Sequence, residues 1–303
     1  MRIDPRPLPR SAALIVNAKS RRGQKMFERA CAKLRAAGVE IVAARAVKNP
    51  RHLDDHVREA IAGGAPMVIV GGGDGSLSCS VDHFVGRDVV FALLPLGTAN
   101  SFARTLGIPL DLDGAVDVIA NGVRRRIDLG MIDGDYFANC AAIGLSPQIA
   151  ETVPHGLKGW LGRPGYLVWA IWQLIKFRPF RLTVGEGPDA ETLKAVEVRI
   201  ANGSYHGGTE LVESAEVDDG EIVVQAVIGQ TRRGLLWSWL ASMLKLKSRE
   251  LTTREFRGRA LRIQTRPRKK ISIDGEVLAR TPVIAKAAAL AIDVAAPRPQ
   301  PAA

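Results

Sequence analysis

The sequence predicts an α/β nucleotide-binding unit built on a parallel sheet, followed by a second, β-rich antiparallel unit of sandwich type. Three observations carry this. A short, unbroken β-branched run, Met67-Val68-Ile69-Val70, leads into Gly71-Gly72-Gly73-Asp74-Gly75-Ser76 and then into apolar residues at helical spacing, Leu77, Val81, Phe84 and Val85. Before about residue 127, strand and helix patterns alternate with short connections, as in βαβ units whose parallel sheet is covered by helices. From about Asp128, strand patterns follow one another without intervening helices, which argues for antiparallel pairing.

In chain order, Ala13-Leu14-Ile15-Val16 reads as the first strand, and Gln24 to Ala37 as a helix closed by Gly38. A second strand runs near Val39 to Ala43. Asn49-Pro50 has the form of a cap and first-turn proline opening a helix with Leu53, Val57, Ala60 and Ile61 on one face. The central strand and glycine loop come next, then a strand from Val89 to Leu94. Ile127–Ile132, Asp133-Gly134 and Tyr136–Ala141 read as a hairpin. A helix is expected over Tyr166–Phe177, and strands near Arg181–Val184, Ala195–Ala201, Glu221–Ile228, Arg259–Gln264 and Lys270–Asp274. The apolar pieces Val283–Ala287 and Leu290–Val294 are placed back in the first unit. The expected division is 12–127 plus about 283–296 for the nucleotide unit and 128–282 for the β-rich unit, with 297–303 a disordered tail.

The chain has 303 residues, enough for two modest domains with substantial cores. Hydrophobic residues make up 47% and charged residues 24%, a globular composition, and no run approaches the ~20 apolar residues of a membrane span. The basic, proline-rich start from Met1 to Ser11 does not read as a secretory signal. Cys31, Cys79 and Cys140 form no CxxC pair, which fits a reducing cytoplasm. A formal charge of +11 would draw nucleic acid, anionic lipid head groups or nucleotide phosphates. Aromatics are only 5% and do not interleave with Lys and Arg, which argues against nucleic acid. The longest basic cluster, Arg266-Pro267-Arg268-Lys269-Lys270, reads as a surface turn.

Ligands of such sheets bind at the carboxyl ends of the strands. Three loops leave those ends: Asn17–Gly23, Gly71–Ser76 and Pro95-Leu96-Gly97-Thr98-Ala99-Asn100. The glycine loop lets backbone N–H groups approach a phosphate beside a helix N-terminus. No Gly-Lys-Ser/Thr follows, so it is not a Walker loop. A bare tight turn would also need glycine, but not the Asp74 carboxylate or the Ser76 hydroxyl. Thr98 and Asn100 add a hydroxyl and an amide, so the two neighbouring loops could hold one nucleotide between them.

The glycine loop resembles the GGDGT signature of the diacylglycerol kinase catalytic family, which includes sphingosine and ceramide kinases and the bacterial YegS-type lipid kinases. Pro95–Ala103 resembles that family's PxGTxNDFA loop. Ile127-Asp128-Leu129-Gly130, Ala201-Asn202-Gly203-Ser204-Tyr205-His206-Gly207-Gly208, Asp218-Asp219-Gly220 and Asp274-Gly275-Glu276 match further landmarks in the family's order. The resemblance implies an ATP-dependent lipid kinase with a cleft between its two units. It implies a nucleotide site drawn from Asn17, Gly72, Gly73, Asp74, Gly75, Ser76, Gly97, Thr98 and Asn100. Glu276 would be the general base, with Asp74 beside it in the catalytic set. Asp219, with main-chain carbonyls of Glu216 and Glu221 and a water link to Asp128, would form a structural Mg2+ site. Such chemistry needs in-line positioning, a cation and one aimed carboxylate. By its residues alone, Asp274-Gly275-Glu276 reads as a hairpin turn with a solvated Glu.

Several positions depart from the family pattern. Ser76 replaces threonine but keeps a hydroxyl, Ser78 and Cys79 stand for Asn and Glu, and Ser101 stands for Asp. The first loop lacks the family's Pro and Gly, and its Arg21 and Arg22 either contact phosphate or face water. Leu235–Leu244, with Trp237 and Trp239 and flanking Arg and Lys, either lies in a membrane interface or packs on the second unit. Trp160, Trp169 and Trp172 leave the same choice open. His52 and His56, four apart, read as a solvated helix face. His206 has no readable role. The expected partners are ATP, a lipid acceptor with diacylglycerol first, and the anionic surface of a membrane reached from the cytoplasm; a homodimer is also allowed. Other lipid acceptors, a kinase acting on NAD, and a non-catalytic nucleotide- or lipid-binding regulator are the alternatives.

Overall fold

The computed structural model describes residues 4–19, 21–144, 178–228, 253–274 and 276–299. Its first part contains β1 (Ser11–Asn17), α1 (Arg21–Ala36), β2 (Glu40–Val47), α2 (Leu53–Ala62), β3 (Met67–Gly72), α3 (Asp74–Ser78), β4 (Val90–Pro95), α4 (Ser101–Thr105) and α5 (Leu112–Asn121). The four strands are parallel in the order β2-β1-β3-β4. Every residue of β3 and β4 is buried, as a continuous apolar run in a sheet covered on both faces requires. The edge strand β2 alternates exposed and half-buried positions instead.

The β-rich part comprises β5 (Val123–Ile132), β6 (Asp135–Phe137), β7 (Cys140–Gly144), β8 (Phe180–Val184), β9 (Glu191–Ala201), β10 (Tyr205–His206), β11 (Thr209–Glu210), β12 (Ile222–Ile228), β13 (Thr253–Gly258), β14 (Ala260–Arg266), β15 (Lys270–Ile273), β16 (Glu276–Arg280) and β17 (Val283–Ala296). All pairings among these strands are antiparallel. Strand β17 joins the two regions. Its first half pairs β14, its second half runs parallel to β4, and β5 follows it along both halves. Ile127, Leu129, Ile292 and Val294 therefore sit in the α/β core, while Ile132, Val283 and Ala285 of the same two strands sit in the sandwich core.

The seam carries a buried ion pair. Arg124 of β5 places Nη2 2.5 Å from Asp293 Oδ2 of β17, with the Asp293 side chain only 1% exposed. Arg124 also donates to Asp88, and Arg6 bridges Asp4 and Asp88, so the N-terminal segment is tied to the same point. The Asp293 carboxylate holds the Arg124 guanidinium in its charged form against the cost of burial.

Several elements differ from the sequence reading. The helix after the glycine loop stops at Ser78, and Val81–Phe84 form a separate 3₁₀ turn. Ser80 donates its hydroxyl to the Ser76 carbonyl, and its N–H reaches back only to Leu77, so the Ser-Cys-Ser run closes the helix by local side-chain bonding. Leu77, Val81 and Phe84 are nonetheless all buried as their spacing implied. The strand expected over Tyr136–Ala141 breaks after Phe137: β6 pairs β5, whereas β7 pairs β9 and β15. The two C-terminal apolar pieces are one strand with an irregularity between Ala288 and Ile292, where Leu290 takes a φ of 52°. The α1 helix starts at Arg21 rather than Gln24. Asn49 accepts from the Arg51 N–H as a cap, but it opens a 3₁₀ turn that leads into α2. The expected helix over 166–177, the Leu235–Leu244 segment, Trp160, Trp169 and Trp172 lie outside the described residues, as do 300–303 of the tail.

One packing contact gives a direct test of the seam. A β-carbon at Gly130 of β5 would stand 2.1 Å from the ring of Phe137, which is fully buried. Gly130→Ala should therefore destabilise the fold by about 1–3 kcal/mol or more. An unchanged melting temperature in thermal unfolding would contradict this packing.

Candidate active site

The two loops singled out in the sequence meet. A β-carbon on Gly97 would lie 2.5 Å from the Gly73 Cα, so the glycine loop and the 95–100 loop touch backbone to backbone. Leu96 N–H donates to the Gly72 carbonyl and Phe102 N–H to Asp74 Oδ1 at 3.3 Å. Asp74 thus fastens one loop to the start of α4 in the other. The first loop joins through Asn17, whose Nδ2 donates to Ser76 Oγ at 3.0 Å. Gly75, Gly97 and Thr98 are exposed at the mouth, with open space beside Gly75.

Asn100 has a different part from the one expected of a ligand amide. It is 4% exposed with φ 49°, its Oδ1 accepts from the Gly97 N–H and its Nδ2 donates to the Gly97 carbonyl. Both ends of the amide are spent shaping the loop. Asn100 thereby fixes the position of Gly97 and Thr98.

The turn carrying the proposed base is tied to these loops by a half-buried carboxylate. Asp274, at φ 43°, accepts from Ser78 Oγ at 2.5 Å and from the Ala138 and Cys140 N–H groups at 3.1 and 3.3 Å. Burial pushes its carboxyl above the usual range, and the Ser78 hydroxyl and the two N–H groups pull it back. Ser78 lies on α3, directly after the glycine loop, so this bond connects the nucleotide loop to the β15–β16 hairpin. Glu276 opens β16 opposite Ile273, two residues beyond Asp274; the structure describes its backbone alone.

Two further bonds close the cleft. Gly208 N–H donates to Ser101 Oγ at 3.0 Å, and Thr105 Oγ1 donates to Asn139 Oδ1 at 2.9 Å. The 201–208 motif acts through its backbone and one amide. Asn202, fully buried, donates to the Asp128 and Ala138 carbonyls, and Gly203 packs where a β-carbon would strike Asn139 and Thr105. His206 is half-buried and close enough to Asp274 to favour its charged form. Ser78 and Ser101, which the sequence marked only as departures, join the two parts together with Thr105 and Asn139. The serines' position inside the two loop motifs was the available signal.

Asp128, Asp218, Asp219 and Glu221 are matched to protein donors. Asp128, 1% exposed, accepts from the Leu290 and Gly220 N–H groups, each at 2.6 Å, and burial raises its carboxyl. Asp219 accepts from the Glu221 N–H at 2.9 Å and from Arg257 Nη1 at 3.3 Å. Arg257 also lies 3.7 Å from the Glu221 carboxylate and donates to the Ser214 carbonyl, while Arg125 pairs with Asp218. Among the described residues no group of three His, Cys, Asp or Glu is placed to hold a metal. With guanidinium groups on its carboxylates, the Asp219 site does not fit the resident magnesium ion that the resemblance implies.

Comparison with known proteins places this geometry. Residues 11–132 match the diacylglycerol kinase catalytic domain, and residues 141–296 match the YegS C-terminal NAD kinase beta sandwich-like domain. A crystal structure titled as a diacylglycerol kinase from Bacillus anthracis has the same fold, with a TM-score of 0.74 at 23% identity, covering 95% of this chain and 97% of that one. The "Probable lipid kinase YegS" of Salmonella dublin is 33% identical over 237 residues, 76% of this chain and 78% of its own length. The "Probable lipid kinase YegS-like" of Stenotrophomonas maltophilia is 31% identical over 77% of each chain. Fold and site define a lipid kinase with ATP as the co-substrate of its class. The chain belongs to the YegS and diacylglycerol kinase family.

Two predictions follow from the site's contacts. Ser78→Ala removes a hydrogen bond to a half-buried carboxylate, worth about 1.5–3 kcal/mol. If that bond positions the hairpin, kcat should fall about 10- to 100-fold with KM for ATP nearly unchanged; equal kcat in wild type and variant would refute it. The second concerns Asp82, just beyond α3. Asp82 keeps an exposed surface, but partial desolvation, with the neighbouring Asp135 carboxylate adding to it, pushes it up to about 6. The folded state then holds this proton more tightly than the unfolded chain. The associated stability is present at acid pH and lost as pH rises from about 4 to about 6. Asp82→Asn should flatten the melting-temperature profile across that window, and an identical slope in the variant would refute the assignment.

Proposed function

We propose that this lipid kinase transfers the γ-phosphate of ATP to the hydroxyl of diacylglycerol. Glu276 takes the hydroxyl proton, the lipid oxygen bonds to the γ-phosphorus, and the bond from that phosphorus to the β-phosphate bridging oxygen breaks to release ADP. The observation that carries the reading is the Ser78–Asp274 bond, because it holds the hairpin bearing Glu276 to the loop that would hold the phosphates. ATP enters as its magnesium salt, a substrate. Its phosphates lie over Gly73, Asp74, Gly75 and Ser76, with Thr98 at the facing loop. The cross-loop contacts of Asp74, Asn17 and Asn100 keep that surface preformed, so little ordering is left for binding to impose. Phosphoryl transfer asks mainly for such positioning. Diacylglycerol is placed first because the catalytic-domain family is named for it. The protein works at the cytoplasmic face of a membrane as a peripheral protein.

The test is ATP-dependent labelling of a lipid panel in mixed micelles, containing diacylglycerol, sphingoid bases, ceramide and phosphatidylglycerol, with NAD as a soluble control. Diacylglycerol should carry the label. Glu276→Gln should lower kcat by about 10²- to 10⁴-fold, the usual weight of a general base. Label on another acceptor would overturn the substrate, and full activity in the variant would overturn the role of Glu276.

A further inference from the structure

We infer that the outer face of strands β14, β8 and β9 is a docking surface for an anionic lipid bilayer. The strand register places Arg266 directly opposite Arg181, and Arg181 directly opposite Lys194. Residues so paired project from the same face of a sheet, and all three are exposed. One rung of the sheet is therefore three cations wide. Like charges set directly opposite each other destabilise a sheet, so this rung works against the fold unless an anion lies over it.

The neighbouring rung on the same face is Gln264, Thr183 and Thr192, neutral hydrogen-bonding groups with the two hydroxyls 2.8 Å apart. Arg181 and Arg266 of the first rung, the whole of the second and Arg268 border a shallow cleft of about 390 Å³. Among the described residues, no carboxylate pairs with Arg181, Lys194, Arg266 or Arg268. Other arginines of this region are matched: Arg199 to Glu197, Arg254 to Glu191 and Arg262 to Glu186. Four cations without a carboxylate partner thus lie together at this face.

The geometry selects the partner. Adjacent strands stand about 4.8 Å apart, so the rung is a short, flat row of separate cations, not an enclosed pocket around one phosphate. A plane of monoanionic head groups meets such a row, with the threonine hydroxyls and Gln264 as additional donors. No aromatic side chain shares the two rungs, so bases of a single-stranded nucleic acid would find nothing to stack on. The choice of a bilayer among polyanions rests on the lipid-kinase reading; binding itself is measured without ATP and stands or falls separately from catalysis.

The experiment is co-sedimentation of the full chain with vesicles of phosphatidylcholine alone or mixed with phosphatidylglycerol. The wild type should pellet with the mixed vesicles only, and less so as salt rises. The triple variant Arg181→Ala, Lys194→Ala, Arg266→Ala should lose at least about ten-fold of that partitioning. Its melting temperature should hold or rise, because a repulsive rung has been removed, and its labelling of lipid in neutral detergent micelles should be unchanged. Arg181→Lys with Arg266→Lys should keep vesicle binding. Equal partitioning of wild type and triple variant would overturn the proposal, as would equal binding to neutral vesicles, a destabilised triple variant, or preference of the wild type for duplex DNA over the mixed vesicles.

Discussion

Two strands from distant parts of the chain, β5 and β17, grip each other along nearly their whole length, and the site depends on that grip. β17 extends the parallel sheet at β4 and the sandwich at β14, so one continuous backbone sets the spacing between the two halves. The glycine loop leaves the end of β3, and the Asp274 turn leaves the end of β15. Neither strand touches the other. The shared seam brings their ends near enough for the Ser78 hydroxyl to reach Asp274, with the buried Arg124–Asp293 pair locking the register. Leaving either partner of such a pair alone in the interior costs far more than the pair contributes, so the seam tolerates few alternatives.

The parts of the fold that are local in sequence were legible. Strands β1, β3 and β4 announce themselves as short unbroken apolar runs, and the glycine loop by residue type. β13 was not legible: Thr-Arg-Glu-Phe-Arg-Gly lies on the outside of β12 and carries little apolar signal. The continuity of β17 was hidden by the Ala-rich stretch before Leu290, where the backbone bends. The division of labour at the site was only half readable. Glycines that let two backbones touch are visible as glycines, but not which backbones they are. The bonds of Asn100 to Gly97 could have been read from its neighbours, since an Asn turning back on its own loop is local chemistry. Ser78 and Asp274 could not, because their meeting depends on the whole intervening sheet.

Charge is arranged by depth. Where carboxylates are buried, at Asp128 and Asp293, or half-buried, at Asp274, backbone N–H groups, a hydroxyl or a guanidinium answers them. Around 214–221, arginines do the same for carboxylates nearer the surface. The excess of basic residues thus has an interior share, consumed in holding loops and strands, and an exterior share that faces outward.

The order in which the seam is assembled has a consequence for the newly made chain. A ribosome releases β1 to β4 well before β17, the strand that pairs β4 along Val90 and Phe91. Until β17 emerges, that stretch of β4 is an open sheet edge, the kind of edge that recruits other strands. The α/β part is thus committed early to a shape that a strand made much later completes.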